Sequence, residues 1–468
     1  MKRLKPWSVL LLLVMLGWGL HAPAQTRADV RLGELLNSGE LFQLRDEYPR
    51  LRDSVSIRML DLLARSQLGV GFNRPEEAAP ALDSLLRFHQ EELGAEGTFS
   101  MASLRAMNLL NLGFYAAAGA AAGDLVRVLE QSLPFESYFG LVFVKRIGKA
   151  LANVPAPYLE RPDRTVTVPL KYEAVGRGHH YSMPVEVNGR VHDFIFDTGC
   201  SFGCFVSEDY AAEVGLKVVA DSIPVSGMTV GFVKLATADS LRVGEMVYRH
   251  PYFLVAPPDP EVDAEFAFDG IIGCDLLRAV GEVVVDNETG VFRFPVKPSD
   301  GEPDMYLSGN IPHVRIEYAG SPLELIFDTG NVKSDLDSGF AQRFPESVAG
   351  LARHKTRRGG FGGIEEFEAV TLPEFRFRVA GRDVVLHDTE VLCNEAEDGS
   401  LLCAGSLGAD FVRSFRQLTI NYRRMFIRGR QQNKRRDGTP CIPGSRLSFC
   451  PAQKRHEAPS SRLRGRMA

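Results

Sequence analysis

Phe194-Ile195-Phe196-Asp197-Thr198-Gly199 returns further along the chain as Leu325-Ile326-Phe327-Asp328-Thr329-Gly330. In each copy an apolar triplet delivers an aspartate onto a Thr-Gly turn. Such a triplet ending in a small turn reads as the end of a buried strand. A carboxylate placed there is half-buried, beside a glycine that lets another group come close.

The two copies share context beyond the phrase itself. An Xaa-Gly turn lies eight residues before each aspartate, with its glycine at Gly189 and at Gly320. Downstream comes an apolar-apolar-Gly segment or a near equivalent, Ile271-Ile272-Gly273 and Ser406-Leu407-Gly408, 76 and 80 residues beyond the aspartates. From Gly273 to Asp286 and from Gly408 to Asn421 the spacing is 13 residues in both cases. A duplicated unit of roughly 130 residues accounts for these matches.

With Asp-Thr-Gly followed by that segment in each half, the stretch from about Val166 to Arg428 resembles the pepsin/retropepsin aspartic proteases. It is most similar to bacterial single-chain members whose halves each resemble a retropepsin subunit. The resemblance implies a mainly β fold of two pseudo-symmetric retropepsin-like β-barrel lobes. It implies Asp197 and Asp328 as the catalytic pair, with Thr198 and Thr329 locking the two turns together. Gly199 and Gly330 would leave room for the attacking water, and the two apolar-Gly segments would pack behind the turns. Two carboxylates sharing a site cannot both ionise cheaply; in this protease class the ionised one activates water and the protonated one holds the scissile carbonyl. The implied activity is hydrolysis of a peptide or protein substrate without metal or cofactor. This sequence departs from the family pattern at Cys200 and Asn331, where a small or hydroxylic residue is usual, and at Ser406, where an apolar one is commoner.

Glycine-rich tips 30 and 31 residues past the aspartates suit β-hairpin flaps, which need glycine for tight turning and close approach to a peptide. The first lies in Ser226-Gly227-Met228-Thr229-Val230-Gly231, the second in Gly359-Gly360-Phe361-Gly362-Gly363. The expected flap or substrate-binding residues are Gly227, Met228, Gly231, Gly360, Phe361 and Gly362. A pair of flaps, one per half, would overhang a single cleft.

Two rival functions share these residues. Gly199-Cys200-Ser201-Phe202-Gly203 fits the Gly-x-Ser-x-Gly elbow of serine hydrolases, which requires a strand, then Ser201, then a helix. A catalytically silent β-domain that binds peptides in the same cleft is the other. Seven cysteines cannot all pair within one chain. Cys393 with Cys403, and Cys441 with Cys450, are close enough in sequence to close small loops. By the resemblance, Cys200 or Cys204 approaches Cys274, either as a bridge or as small buried thiols. No Cys/His spacing matches a zinc site, so no metal is expected.

In chain order, residues 1–24 read as a secretory signal peptide: Lys2, Arg3 and Lys5, an apolar run from Val9 to Leu20, then Ala22-Pro23-Ala24. Export to the periplasm or the exterior is the expectation, with no stable membrane span in the mature chain. Residues 25–154 carry helical periodicity, as at Leu82, Leu85, Leu86 and His89, and suggest antiparallel helical hairpins. Asn73-Arg74-Pro75-Glu76-Glu77 reads as a helix start capped by the asparagine. This region is a candidate prosegment, inhibitor or protein-partner surface. The pattern turns to strand alternation after Pro155, giving expected lobes at 155–300 and 301–430. Residues 431–468 bear nine Lys or Arg against two acidic residues and read as a basic, disordered tail. The whole chain, 45% hydrophobic with net charge −5, gives no sign of nucleic-acid binding.

Overall fold

The computed structural model describes residues 25–175, 178–266, 268–393 and 403–431. The expected leader, Cys441, Cys450 and the tail beyond residue 431 lie outside the described residues.

Seven α-helices come first: Arg27–Ser38, Leu41–Leu51, Arg58–Gly71, Pro75–Phe88, Gln90–Asn111, Tyr115–Leu129 and Phe139–Ala150. Small residues let the last two pack closely, since a Cβ on Gly119 would lie 2.9 Å from the Gly148 carbonyl carbon. Pro75 sits in the first turn with Glu76 and Glu77, as its fixed φ and the helix dipole favour. Asn73 is not the cap expected from the sequence: Arg74 holds that position without a side-chain bond. The Asn73 amide is committed elsewhere, donating to the Tyr422 carbonyl at 2.8 Å and accepting from Arg278 Nε at 2.8 Å. Among the described residues, no helix is long and apolar enough to cross a membrane.

Among the described residues from 158 to 431 the chain is mainly strand, and the same construction appears twice. Strands Gly178–Val187 and Arg190–Phe196 form a hairpin that ends at Asp197; Ile311–Tyr318 and Ser321–Phe327 form one that ends at Asp328. Their turns are Asn188-Gly189 and Ala319-Gly320, with both residues of each at positive φ. Paired positive φ values match the strand twist in two-residue hairpins, so the glycines eight residues before each aspartate set the register that aims it.

Between the lobes lies a five-stranded sheet ordered Val166–Pro169, Val291–Phe294, Glu282–Asp286, Phe415–Asn421, Phe426–Gln431. Its third and fourth strands carry the 13-residue echoes of the sequence, paired antiparallel about Val284 and Thr419. Both halves therefore build one sheet. Phe196, Phe292 and Phe327 are fully buried beneath it, with Phe196 and Phe292 ring centroids 5.1 Å apart. Burial of each such ring is worth about 1.5–3 kcal/mol.

The helices lean on both lobes. Phe42 packs edge-on against Tyr306 at 5.2 Å, and Asn111 and Asn310 exchange two amide hydrogen bonds. At the other end, Phe143 lies 4.8 Å from Phe202 and Phe135 lies 5.9 Å from Phe232. Val142, Phe143 and Ile147 share an apolar cluster with Ile223, Val233 and Leu235 of the hairpin formed by Lys217–Ser226 and Val230–Thr237.

Candidate active site

Each Asp-Thr-Gly turn is held by strands on either side. Gly270–Ile272 runs parallel to Arg190–Phe196 and antiparallel to Cys204–Ser207, pairing Ile272 with Phe196. In the second lobe, Leu407 pairs with Phe327 and the Asp328 N–H donates to the Leu407 carbonyl at 2.9 Å. The segments expected behind the turns occupy that place in both halves. Equivalent backbone bonds fasten the far side of each turn, Cys274 N–H to Cys200 C=O at 2.8 Å and Ala409 N–H to Asn331 C=O at 2.7 Å.

The two turns lock through buried threonines. The Thr198 hydroxyl donates to the Phe327 carbonyl at 2.6 Å and accepts from the Thr329 N–H at 3.0 Å. Reciprocally, the Thr329 hydroxyl donates to the Phe196 carbonyl at 2.7 Å and accepts from the Thr198 N–H at 3.0 Å. Four bonds related by a two-fold axis leave the aspartates little freedom of separation.

Asp197 and Asp328 face each other across that axis. Asp197 Oδ1 accepts from Gly199 N–H at 2.7 Å and from Gly330 N–H at 3.2 Å; Asp328 Oδ1 accepts from Gly330 N–H at 2.9 Å and Asn331 N–H at 3.3 Å. The glycines are required by space, because a Cβ on Gly199 would stand 2.7 Å from Asp328 Oδ2 and one on Gly330 2.6 Å from Asp197 Oδ2. Burial, with the Asp328 carboxylate beside it, drives the Asp197 carboxyl well above the usual range; burial also raises Asp328, against hydrogen bonds that favour its ionised form. The pair therefore retains a proton where two isolated carboxyls would have lost both.

Residues 183–276 match the family model described as aspartyl protease. That stretch resembles an aspartyl protease domain. Among solved structures, the aspartic proteinase from Irpex lacteus is similar at 15% identity and a TM-score of 0.36, over 56% of this chain and 96% of that one. No curated protein matches.

The glycine-rich segments are hairpin tips, and they meet. Met228 N–H donates to the Phe361 carbonyl at 2.8 Å, and the Thr229 hydroxyl to the Gly362 carbonyl at 3.0 Å. Gly227 stands against Phe361, and Gly231 lies under the Phe361 ring, where a Cβ would come within 2.8 Å of Cε1. That ring also meets Phe205 edge-on at 5.4 Å. Gly360 closes its strand opposite Gly363, and Gly362 takes a φ of 88°, which a side chain would resist.

The serine elbow and a Cys393–Cys403 bridge meet a different structure, while of the two readings of Cys200, Cys204 and Cys274 the thiol one is present. Ser201 is followed by the strand Cys204–Ser207 instead of a helix, so the elbow geometry of a serine hydrolase is not formed. Cys393 and Cys403 are free thiols, and so are Cys200, Cys204 and Cys274, although the backbone brings Cys200 and Cys274 together. Among the described residues, no three His, Cys, Asp or Glu side chains converge as metal ligands would.

Sequence reasoning treated Asn331 and Ser406 as separate departures. They are partners: Asn331 Nδ2 donates to Ser406 Oγ at 2.8 Å and lies 3.3 Å from Asp335 Oδ2. Asp335 in turn faces Arg358 on the second hairpin, Nη2 to Oδ2 2.9 Å. Neither Asp335 nor Arg358 stood out in the sequence. The only signal was that polar residues replaced the expected small and apolar ones at two positions 75 residues apart.

Proposed function

We propose that this protein is an exported aspartic endopeptidase in which Asp197 and Asp328 hydrolyse peptide bonds. The observation that carries the reading is the face-to-face carboxylate pair held by the reciprocal Thr198 and Thr329 bonds. One ionised carboxylate takes a proton from water as its oxygen attacks the scissile carbonyl carbon. The protonated partner donates to the carbonyl oxygen, so charge does not build up there. Return of a proton to the amide nitrogen lets the carbon–nitrogen bond break, leaving a free acid and a free amine.

The meeting hairpins act as flaps. They must part to admit a peptide and close to exclude bulk water during attack. Thr198, Gly199, Thr329 and Gly330 support the pair, while Met228 and Phe361 offer the first backbone and ring contacts to substrate. The charged start and apolar run of residues 1–24 support export.

Asp197→Asn and Asp328→Asn should each lower cleavage of an unfolded protein by more than about a hundredfold. Ser201→Ala should retain most activity. A folded wild-type chain that bound peptides without cutting them would replace this reading with that of a silent peptide-binding domain.

A further inference from the structure

The two halves of the site are built alike but lined with opposite chemistry. Backbone bonds make Cys200 the counterpart of Asn331, and Cys274 that of Ala409. The strand register makes Ile271, opposite Phe205, the counterpart of Ser406, opposite Asp335. At three of these four pairs, Cys200/Asn331, Ile271/Ser406 and Phe205/Asp335, the first lobe is apolar or a thiol where the second lobe is polar. Phe205 meets the ring of Phe361 from a hairpin tip, whereas Asp335 meets the guanidinium of Arg358 from a hairpin strand. In each half, one of these positions thus touches a residue of a hairpin.

The polar cluster reaches directly to the dyad. Asn331 donates its N–H to Asp328 and its side-chain amide to Ser406 and Asp335. Asp335 and Ser406 are 8% and 7% exposed, so they are almost wholly withdrawn from water. Arg358 Nη2, though close to Asp335, is buried and makes no directed hydrogen bond. Burial, resisted by Arg358 and reinforced by Asp328, pushes the Asp335 carboxyl up to about 6.

We propose that Asn331, Asp335, Ser406 and Arg358 form a specificity pocket for a neutral hydrogen-bonding side chain, while Phe205 and Ile271 receive a large apolar one. The inference rests on the protease reading above. A buried carboxylate beside a guanidinium offers both acceptors and donors. Amide and hydroxyl side chains satisfy both, whereas a charged side chain of either sign meets a like charge. An apolar side chain would leave the buried Arg358 Nη2 without a hydrogen-bond partner, which is how a hydrogen-bonding site rejects analogues. The substrate would then carry an apolar residue on one side of the cut and Asn, Gln, Ser or Thr on the other.

Profiling the wild-type protein on a peptide library tests this. At the polar position Asn, Gln, Ser or Thr should exceed Leu or Phe by at least about tenfold in kcat/KM. Asp335→Asn leaves Arg358 without its carboxylate and should shift the preference toward Asp and Glu. Arg358→Gln should shift it the other way, toward Lys and Arg. Those opposed shifts would not come from a merely structural ion pair. Cutting between two large apolar residues with equal efficiency, or an unchanged profile in both variants, overturns the pocket alone. If the wild type cuts no peptide, the protease reading falls and the pocket falls with it. Should either variant fail to fold by circular dichroism, the wild-type profile decides.

Discussion

The N–H of Met228 donates to the carbonyl of Phe361 across 2.8 Å, so the tips of two hairpins from opposite lobes are joined by main chain. A bond between tips, made without any side chain, can break and re-form each time a peptide enters. It also demands bare backbone at the point of contact.

Gly227→Ala tests that demand. An added Cβ would come within 2.9 Å of Phe361 Cβ and closer still to its carbonyl oxygen. The tips should be forced apart, and KM should rise several-fold while the melting temperature changes by only a few degrees. Unchanged kinetics would mean that the joined tips play no part in turnover.

Removing the Thr198 hydroxyl should weaken the whole molecule. Thr198 is fully buried, and Thr198→Ala leaves the Phe327 carbonyl and the Thr329 N–H without their partner. The cost should be about 1–3 kcal/mol in urea unfolding, with Thr198→Ser recovering most of it. Wild-type stability in the alanine variant would show that the lock contributes nothing net.

Asp304 gives stability a pH dependence. Burial pushes its carboxyl up to about 7, against the Ile427 N–H and the nearby Arg428 and Arg45. An unfolded aspartate titrates near ~3.9. Between those values the folded chain holds a proton the unfolded chain has released. The contribution is therefore full below about pH 4 and lost as pH rises through about 7. Relative to wild type, Asp304→Asn should gain in urea midpoint as pH is raised from 4 to 7. A difference independent of pH would contradict this assignment.

The helices should prove to be a brace and not a removable segment. Phe143 is 5% exposed and packs on Phe202, and its neighbours Val142 and Ile147 share a core with the first hairpin. Phe143→Ala should cost about 3–5 kcal/mol and speed amide exchange in residues 217–237. Deleting residues 25–154 should yield insoluble protein; a soluble, more active fragment would restore the prosegment reading.

The features legible in the sequence were those written locally. Asp-Thr-Gly, the Gly189 and Gly320 turns and the 13-residue echo each declare themselves within one short window, and duplication let each half check the other. Gly227 and Gly360 were visible for the same reason, since a hairpin tip constrains its own backbone. What stayed hidden depended on distant partners. Asn73 has the composition of a cap, but its amide bonds Tyr422, 349 residues away. Asn331 and Ser406 each looked like a flaw until the fold placed them 2.8 Å apart. Free thiols at Cys200 and Cys274 show the limit of proximity as evidence, because a shared backbone bond does not bring two sulfurs into bonding geometry.

The sheet shared by Glu282–Asp286 and Phe415–Asn421 has a consequence for how such a molecule can change over generations. With both aspartates on one chain, the pair assembles at any dilution, and no association equilibrium between separate subunits governs it. A subunit encoded once must accept every mutation twice, on both sides of its axis. Here a single codon can alter one wall of the cleft and spare the other. Phe205 and Asp335 are what that freedom permits: equivalent positions in the two halves, a ring in one and a charge in the other.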